Sequence, residues 1–364
     1  VDLDLSLDRP DALLALTADL CDIPSVSGDE RAIADAVERA LTGLGHLEVL
    51  RDGEAVVART HLGRDRRVVL AGHLDTVPVA GNLPSELRQG PGGPELWGRG
   101  TVDMKGGVAV LLAVASAVRE PVPDVTFVFY DAEEVESARN GLGRLARSHP
   151  EWLAGDVAVL GEPTSAAIEG GCNGTLRVEV VVRGKAAHSA RSWLGSNAVH
   201  GAAAVLQRLV DYVPRVVEVD GLTYREGLNA VGIRGGVAGN VIPDECVVTV
   251  NHRFAPERSE AEALAHVQQV FEGYEVRLTD SAPGARPGLD RPGAAELARV
   301  VAGLTGRPPR AKEGWTDVAR FTDLGVPAVN FGPGDPGLAH ADDERVPVAD
   351  LTACFEGLRT WLTS

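Results

Sequence analysis

Short apolar runs separated by polar turns recur through the first half of the chain. They read LEVLRD, AVVART, RRVVLAG, VTFVFYD and DVAVLGE. Runs of this length without strict alternation predict strands, several of them buried on both faces as in a parallel sheet. Helical patterns lie between and beside them. Leu13, Leu14, Leu16 and Leu20 give a helix from Pro10 to about Cys21. Ser27 followed by Glu30 fits a capping box for a second helix reaching about Leu44, with Gly45 as its stop. The segment from Gly106 to Val118, GGVAVLLAVASAV, is apolar nearly all round and predicts a buried helix. Alternating strands and helices of this kind predict an α/β fold, a mostly parallel sheet flanked by helices.

From about Gly174 the pattern changes. TLRVEVVVRGK alternates, NAVHGAAAVLQRLVDYV is amphipathic, GVAGNVIPDECVVTVNHRF reads as a strand pair around a turn, and AEALAHVQQVFEGY reads as a further helix. Alternation implies one solvated face, so this stretch predicts a smaller antiparallel α+β domain with helices on one face. The Pro/Gly-rich stretch Ser281 to Gly293 leads back to helix (AAELARVVAGLTG), buried strand (VPAVNFG) and terminal helix (PVADLTACFEGLRTWLTS). The expected plan is a catalytic domain in two parts, 1–173 and 284–364, with a lid or dimerisation domain, 174–283, inserted between them.

Composition narrows the partners. The 364 residues carry a formal net charge of −17 and a pI near 5.0. An acidic chain lacks the basic face that nucleic acid needs, and is repelled by anionic membrane surfaces. An anionic substrate would require local positive charge from bound metal or a few arginines. Cys21, Cys172, Cys246 and Cys354 form no CxxC pair, so they are expected to be small buried residues of a reducing, cytoplasmic protein. The acidic N-terminal stretch does not read as a signal peptide, and no stretch approaches the length of a membrane span.

The candidate chemistry sits where apolar runs end: VVLAGHLDT (His73, Asp75), GRGTVDMKGG (Asp103), TFVFYDAEEVES (Glu133, Glu134), AVLGEPTS (Glu162) and LAHADDE (His340). Ligands of open α/β sheets bind beyond the carboxyl ends of the strands. Each position alone has an ordinary explanation. His73 could be a buried core histidine, Asp103 a helix cap, and the Glu133–Glu134 pair a solvated turn. Five such sites together point to a metal centre. His73 and Asp75 are two apart, so Asp75 can hold the second ring nitrogen of a ligating His73. Two histidines and three carboxylates suit two zinc ions about 3.5–4 Å apart. Four positive charges are then matched by Asp103, Glu134, Glu162 and a hydroxide, leaving Glu133 as general base.

At these motifs the chain resembles the di-zinc aminoacylase/carboxypeptidase family of metallohydrolases. The resemblance implies that His73, Asp103 and Glu162 hold one zinc and that Asp103, Glu134 and His340 hold the other. It implies Glu133 as base and Asp75 as the partner of His73, and a cis Asp103–Met104 peptide is common in the family. The strings GKAAHSARSWLG, GNVIPDE, NHRFAP and GWTDVARFTDLGVPAVNFGPGDP are similar to the desuccinylase branch. That branch hydrolyses N-succinyl-LL-2,6-diaminopimelate to succinate and LL-2,6-diaminopimelate in lysine and diaminopimelate biosynthesis. An acetylornithine deacetylase or a dipeptidase of the same family is the alternative. The resemblance further implies two zinc ions replaceable by cobalt and a homodimer formed through the inserted domain. It implies that His188 stabilises the oxyanion in the other subunit's site, and that Asn240, Arg253, Thr316 and Gly332 bind substrate. Where other desuccinylases carry arginines, this chain has Gly171-Cys172-Asn173-Gly174; Arg191 is the candidate substitute.

Overall fold

A computed structural model describes residues 2–364. The chain divides into two compact units, one of residues 1–170, 287–310 and 316–364, the other of 171–286 and 311–315. The segment Ala311–Trp315, expected in the catalytic part, thus belongs with the inserted unit. Asn173 explains this: its backbone amide donates to Lys312 O at 3.3 Å and its side-chain amide to Glu313 O at 3.1 Å. The Trp315 indole donates to Pro283 O at 3.1 Å.

The first unit is built on an eight-stranded sheet. Its order is Glu48–Asp52, Ala55–Arg59, Asp124–Tyr130, Arg67–His73, Val157–Leu160, Ala328–Asn330, Glu169–Gly170 and Arg310–Ala311. The four strands from Asp124–Tyr130 to Ala328–Asn330 run parallel, and Ala55–Arg59 and Glu169–Gly170 pair antiparallel beside them. The central strands Asp124–Tyr130 and Val157–Leu160 are buried throughout, as their unbroken apolar runs require.

Helix Lys105–Ala117 crosses between the parallel strands Arg67–His73 and Asp124–Tyr130, and all but its last two residues are buried. Two glycines set how close it lies. A Cβ on Gly107 would stand 2.1 Å from Gly161 O, and one on Gly161 would meet the Gly107 Cα at 3.3 Å. Helices Ala12–Cys21, Arg31–Gly43, Pro292–Thr305 and Val348–Thr363 complete the core. The polar hairpin Glu86–Gly90/Gly93–Trp97, joined by Arg345–Pro347 into a separate three-stranded sheet, carries no apolar run that would predict it.

The second unit is a four-stranded antiparallel sheet in the order Gly227–Gly235, Glu245–Phe254, Gly174–Arg183, Glu275–Ala282. Helices Ala198–Val210 and Glu260–Val270 cover one face. A capping box at Ser259 and Glu262 starts the second of these helices. All four cysteines are buried, and none forms a disulfide among the described residues. No described helix is long and apolar enough to cross a membrane.

Candidate metal centre

His73 is the last residue of its strand, Glu133 and Glu134 follow strand Asp124–Tyr130, and Glu162 follows strand Val157–Leu160. These three exits lie on adjacent parallel strands, so their side chains converge at one sheet edge. Asp103 and His340 arrive differently. Asp103 precedes helix Lys105–Ala117 after the turn Gly98–Gly100, and His340 follows the 3-10 turn Pro336–Leu338 with a φ of 65°. The expectation of five strand exits is therefore corrected to three exits and two loops. Asp103 is not the helix cap either, since Met104 holds that position and the Asp103–Met104 peptide is cis.

Asp103 stands between the two histidines. His73 Nε2 lies 3.1 Å from Asp103 Oδ1. His340 Nε2 lies 3.3 Å from Asp103 Oδ2 and 2.8 Å from Glu134 Oε1. Ligand atoms of His73, Asp103 and Glu134 fall within 4.8 Å of one another. Glu162 is 6% exposed and stands outside that closest group, but its charge acts on Glu133.

Burial and neighbouring charges set the protonation pattern of the cluster. Hydrogen bonds to Asp103 and Glu134 raise His340 to about 10. Burial alone would lower His73, yet Asp103 and Asp75 carry it well above its ordinary value. Burial raises Glu133 strongly, opposed by His73 and reinforced by Asp317, Glu162 and Glu134. Even with Glu133 left out, Asp75, Asp103, Glu134 and Glu162 are four carboxylates against two imidazoles. A donor set of imidazole nitrogens and carboxylate oxygens with excess negative charge fits divalent cations.

The scaffold behind these groups is made of further carboxylates. His73 Nδ1 donates to the Asp75 backbone oxygen at 3.0 Å, with the Asp75 carboxylate at 3.5 Å. The Asp75 carboxylate instead accepts the backbone amides of Glu133 and Glu134, both at 3.0 Å, and the Ser27 hydroxyl at 2.7 Å. Burial would raise it, but His73 and Ser27 hold it down to about 2. Glu344, which the sequence reading missed, does the same for the Asp103 loop. Its Oε1 accepts the amides of Val102 at 2.9 Å and Asp103 at 3.1 Å, while its Oε2 pairs with buried Arg99 at 2.8 Å. The available signal was its place in the string that carries His340.

The expected substrate groups divide between the units. Thr316 is buried and donates to Asn330 Oδ1 at 2.9 Å. The Gly332 amide donates to Thr164 Oγ1 at 3.1 Å, and a Cβ there would stand 2.2 Å from Gly161 O, so this glycine serves close backbone packing. In the second unit His188 and Asn240 are held together. His188 pairs with Val241 across a β-bridge, and the Ser189 amide donates to Asn240 O at 2.9 Å. His188 is exposed, and its Nδ1 accepts the Ala190 amide at 3.1 Å. With Nδ1 accepting, the neutral ring carries its proton on Nε2. Arg253 is half-buried on strand Glu245–Phe254, and Arg191 is exposed.

Residues 69–364 match the profile of Peptidase family M20/M25/M40. The chain is 57% identical over 352 residues to a Mycobacterium tuberculosis protein assigned as succinyl-diaminopimelate desuccinylase DapE, covering 96% of this chain and 97% of that one. It is 47% identical over 361 residues to succinyl-diaminopimelate desuccinylase of Corynebacterium glutamicum, covering 96% of each. Among solved structures it resembles a tripeptidase of Staphylococcus aureus, with a TM-score of 0.81, 22% identity and 98% of each chain covered. It also resembles a dinuclear metal-binding M20 peptidase of Bacillus subtilis, with a TM-score of 0.68, 18% identity and 96% of each chain covered. The chain belongs to the M20/M25/M40 peptidase family of metal-dependent amidohydrolases.

Proposed function

We propose that the protein hydrolyses the succinyl amide of N-succinyl-LL-2,6-diaminopimelate, using two zinc ions that cobalt can replace. The observation that carries the metal assignment is Asp103, which turns Oδ1 toward His73 and Oδ2 toward His340. His73, Asp103 and Glu162 would hold one ion, and Asp103, Glu134 and His340 the other. When bound, the ions polarise the scissile carbonyl and acidify the attacking water. Glu133 takes the proton from that water and delivers it to the departing amine. The substrate assignment rests on the two desuccinylase relatives, which match nearly the whole chain.

The second unit supplies recognition in this reading. The Nε2–H of His188 donates to the carbonyl oxygen as it gains charge. Arg253 grips a substrate carboxylate and Asn240, in the loop before the same strand, offers a separate polar contact, while Thr316 and Gly332 shape the loops of the pocket. Arg191 is the exposed cation available in place of the missing loop arginines. The protein would act as a homodimer through the inserted unit. Strand Gly227–Gly235 supports this, being an outer strand of its sheet and exposed along most of its length, Val231 and Ile233 included. Such an edge invites pairing with a second copy. Four buried cysteines without a disulfide among the described residues suit the cytoplasm.

The test is turnover of N-succinyl-LL-2,6-diaminopimelate, N-acetylornithine and a dipeptide by the purified protein with added zinc or cobalt. Preference for the succinylated substrate by tenfold or more in kcat/KM is expected, about 1.4 kcal/mol of discrimination. Turnover no greater than that of Glu133→Ala on every substrate sinks the reading, and preference for acetylornithine selects the alternative. Chelation should abolish activity and zinc or cobalt should restore it.

A further inference from the structure

Ser27 and Glu30 carry the sequence signature of a capping box, but the structure uses them elsewhere. Glu30 is itself the N-cap residue of helix Arg31–Gly43 and makes no side-chain cap. The Ser27 hydroxyl goes to Asp75. The Glu30 carboxylate, 3% exposed, accepts the Gly28 amide at 2.8 Å and the Ala132 amide at 3.2 Å through Oε1.

Ala132 has a φ of 57°, a left-handed conformation that a residue with a Cβ holds only when its surroundings fix it. The two amides that follow, of Glu133 and Glu134, end on Asp75 Oδ1 and Oδ2. Three successive amides are thus captured by two buried carboxylates from distant parts of the chain. The residue before them is held as well, since the Asp131 carboxylate takes Arg144 Nη2 at 2.7 Å and Nη1 at 3.0 Å. A chain gripped at four consecutive residues sends the next side chains out in fixed directions.

We infer that Glu30 is a positioning residue for the turn that presents Glu133 and Glu134, acting as the acceptor that holds Ala132 left-handed. The inference rests on the roles proposed above for those two glutamates. Without Glu30 the buried Ala132 amide loses its acceptor, and relaxation of φ at this point turns the Glu133 and Glu134 side chains away from their places. The competing explanation is that Glu30 only stabilises the start of its helix.

The experiment compares Glu30→Ala, Glu30→Gln and Ala32→Gly, the last an exposed position in the same first helical turn. Three quantities are read: amide hydrogen exchange in peptides covering 130–136, metal affinity by titration, and kcat and KM. Glu30→Ala should speed exchange in that peptide, weaken metal binding by about 10-fold to 100-fold, and lower kcat with KM within about 3-fold. Glu30→Gln keeps an acceptor oxygen and should restore all three to near wild type. Ala32→Gly should lower the melting temperature and change none of them. The inference is overturned if Glu30→Ala only lowers the melting temperature, as Ala32→Gly does, or if Glu30→Gln is as damaged as Glu30→Ala. Should the wild type fail to hydrolyse the succinylated substrate, the functional reading falls, while exchange and metal affinity still decide the role of Glu30.

Discussion

The proposed metal centre and the groups of the inserted unit proposed for recognition are held in opposite ways. In the first unit two of the turns that carry proposed ligands are backed by buried carboxylates: Asp75 and Glu30 behind Glu133 and Glu134, and Glu344 behind Asp103. In the second unit His188 and Asn240 stand exposed, and the loops that carry them are joined by backbone pairing, His188 with Val241 and the Ser189 amide with Asn240 O. Chemistry common to a family needs fixed geometry, whereas recognition needs surfaces that can differ between members. The contrast teaches that changes at the first set should alter rate and metal content together, and changes at the second should alter rate or affinity with the metals in place.

The largest expected effect falls on Glu133. Glu133→Gln should lower kcat by about 10³-fold or more, near the upper range for a general base, with metal content by mass spectrometry unchanged. Loss of metal from this variant would move Glu133 into the ligand set and blur the comparison. His188→Ala should cost about 10²-fold in kcat, again with full metal. Mixing it with Glu133→Ala under conditions of subunit exchange should recover about a quarter of wild-type activity, because mixed dimers own one intact site. No recovery would place His188 within its own subunit's site or outside catalysis.

Arg253→Ala should raise KM by about tenfold and leave kcat within a few fold, the signature of binding shared by ground and transition states. A kcat loss larger than the KM change would assign this arginine to the first region's kind of role. The smallest effect concerns pH and needs the metal-free protein. His340 is raised from 6.5 to about 10 by Asp103 and Glu134. Its pairing therefore stabilises the metal-free fold fully below about pH 6.5 and is lost as pH rises through about 10. Melting temperature should fall by a few degrees over that window in metal-free protein and stay flat in metal-loaded protein. Metal affinity should move the other way and strengthen as pH rises, because the imidazolium proton must leave first.

Much of this was legible in the chain. Buried parallel strands are unbroken apolar runs, so the exits carrying His73, Glu133, Glu134 and Glu162 could be read directly. The buried helix Lys105–Ala117 betrayed itself by being apolar all round. The hairpin Glu86–Trp97 did not, because its first strand is polar and exposed and its second brings only Leu96 to the core, too little for a core-facing pattern. Ser27 and Glu30 were misread for a physical reason. A hydroxyl and a carboxylate three residues apart suit a helix cap, but the same groups serve distant amides equally well, and the partners here lie 48 and 102 positions away. Glu344 escaped for the same reason, its amide partner being 241 positions distant. Residue type and spacing report what a side chain can accept; only the fold decides which amide arrives.

The contact between Gly107 and Gly161 has a mechanical consequence. Gly107 belongs to the helix that Asp103 leads into, and Gly161 immediately precedes Glu162. Because the two backbones touch with no side chain between them, the helix works as a ruler laid against the strand end. Its thickness sets the span between two ligand-bearing turns. A single methyl added at Gly107 would push both turns apart, so this position offers a handle on the separation of Asp103 and Glu162, the two carboxylates proposed for one ion, that no substitution at those residues themselves provides.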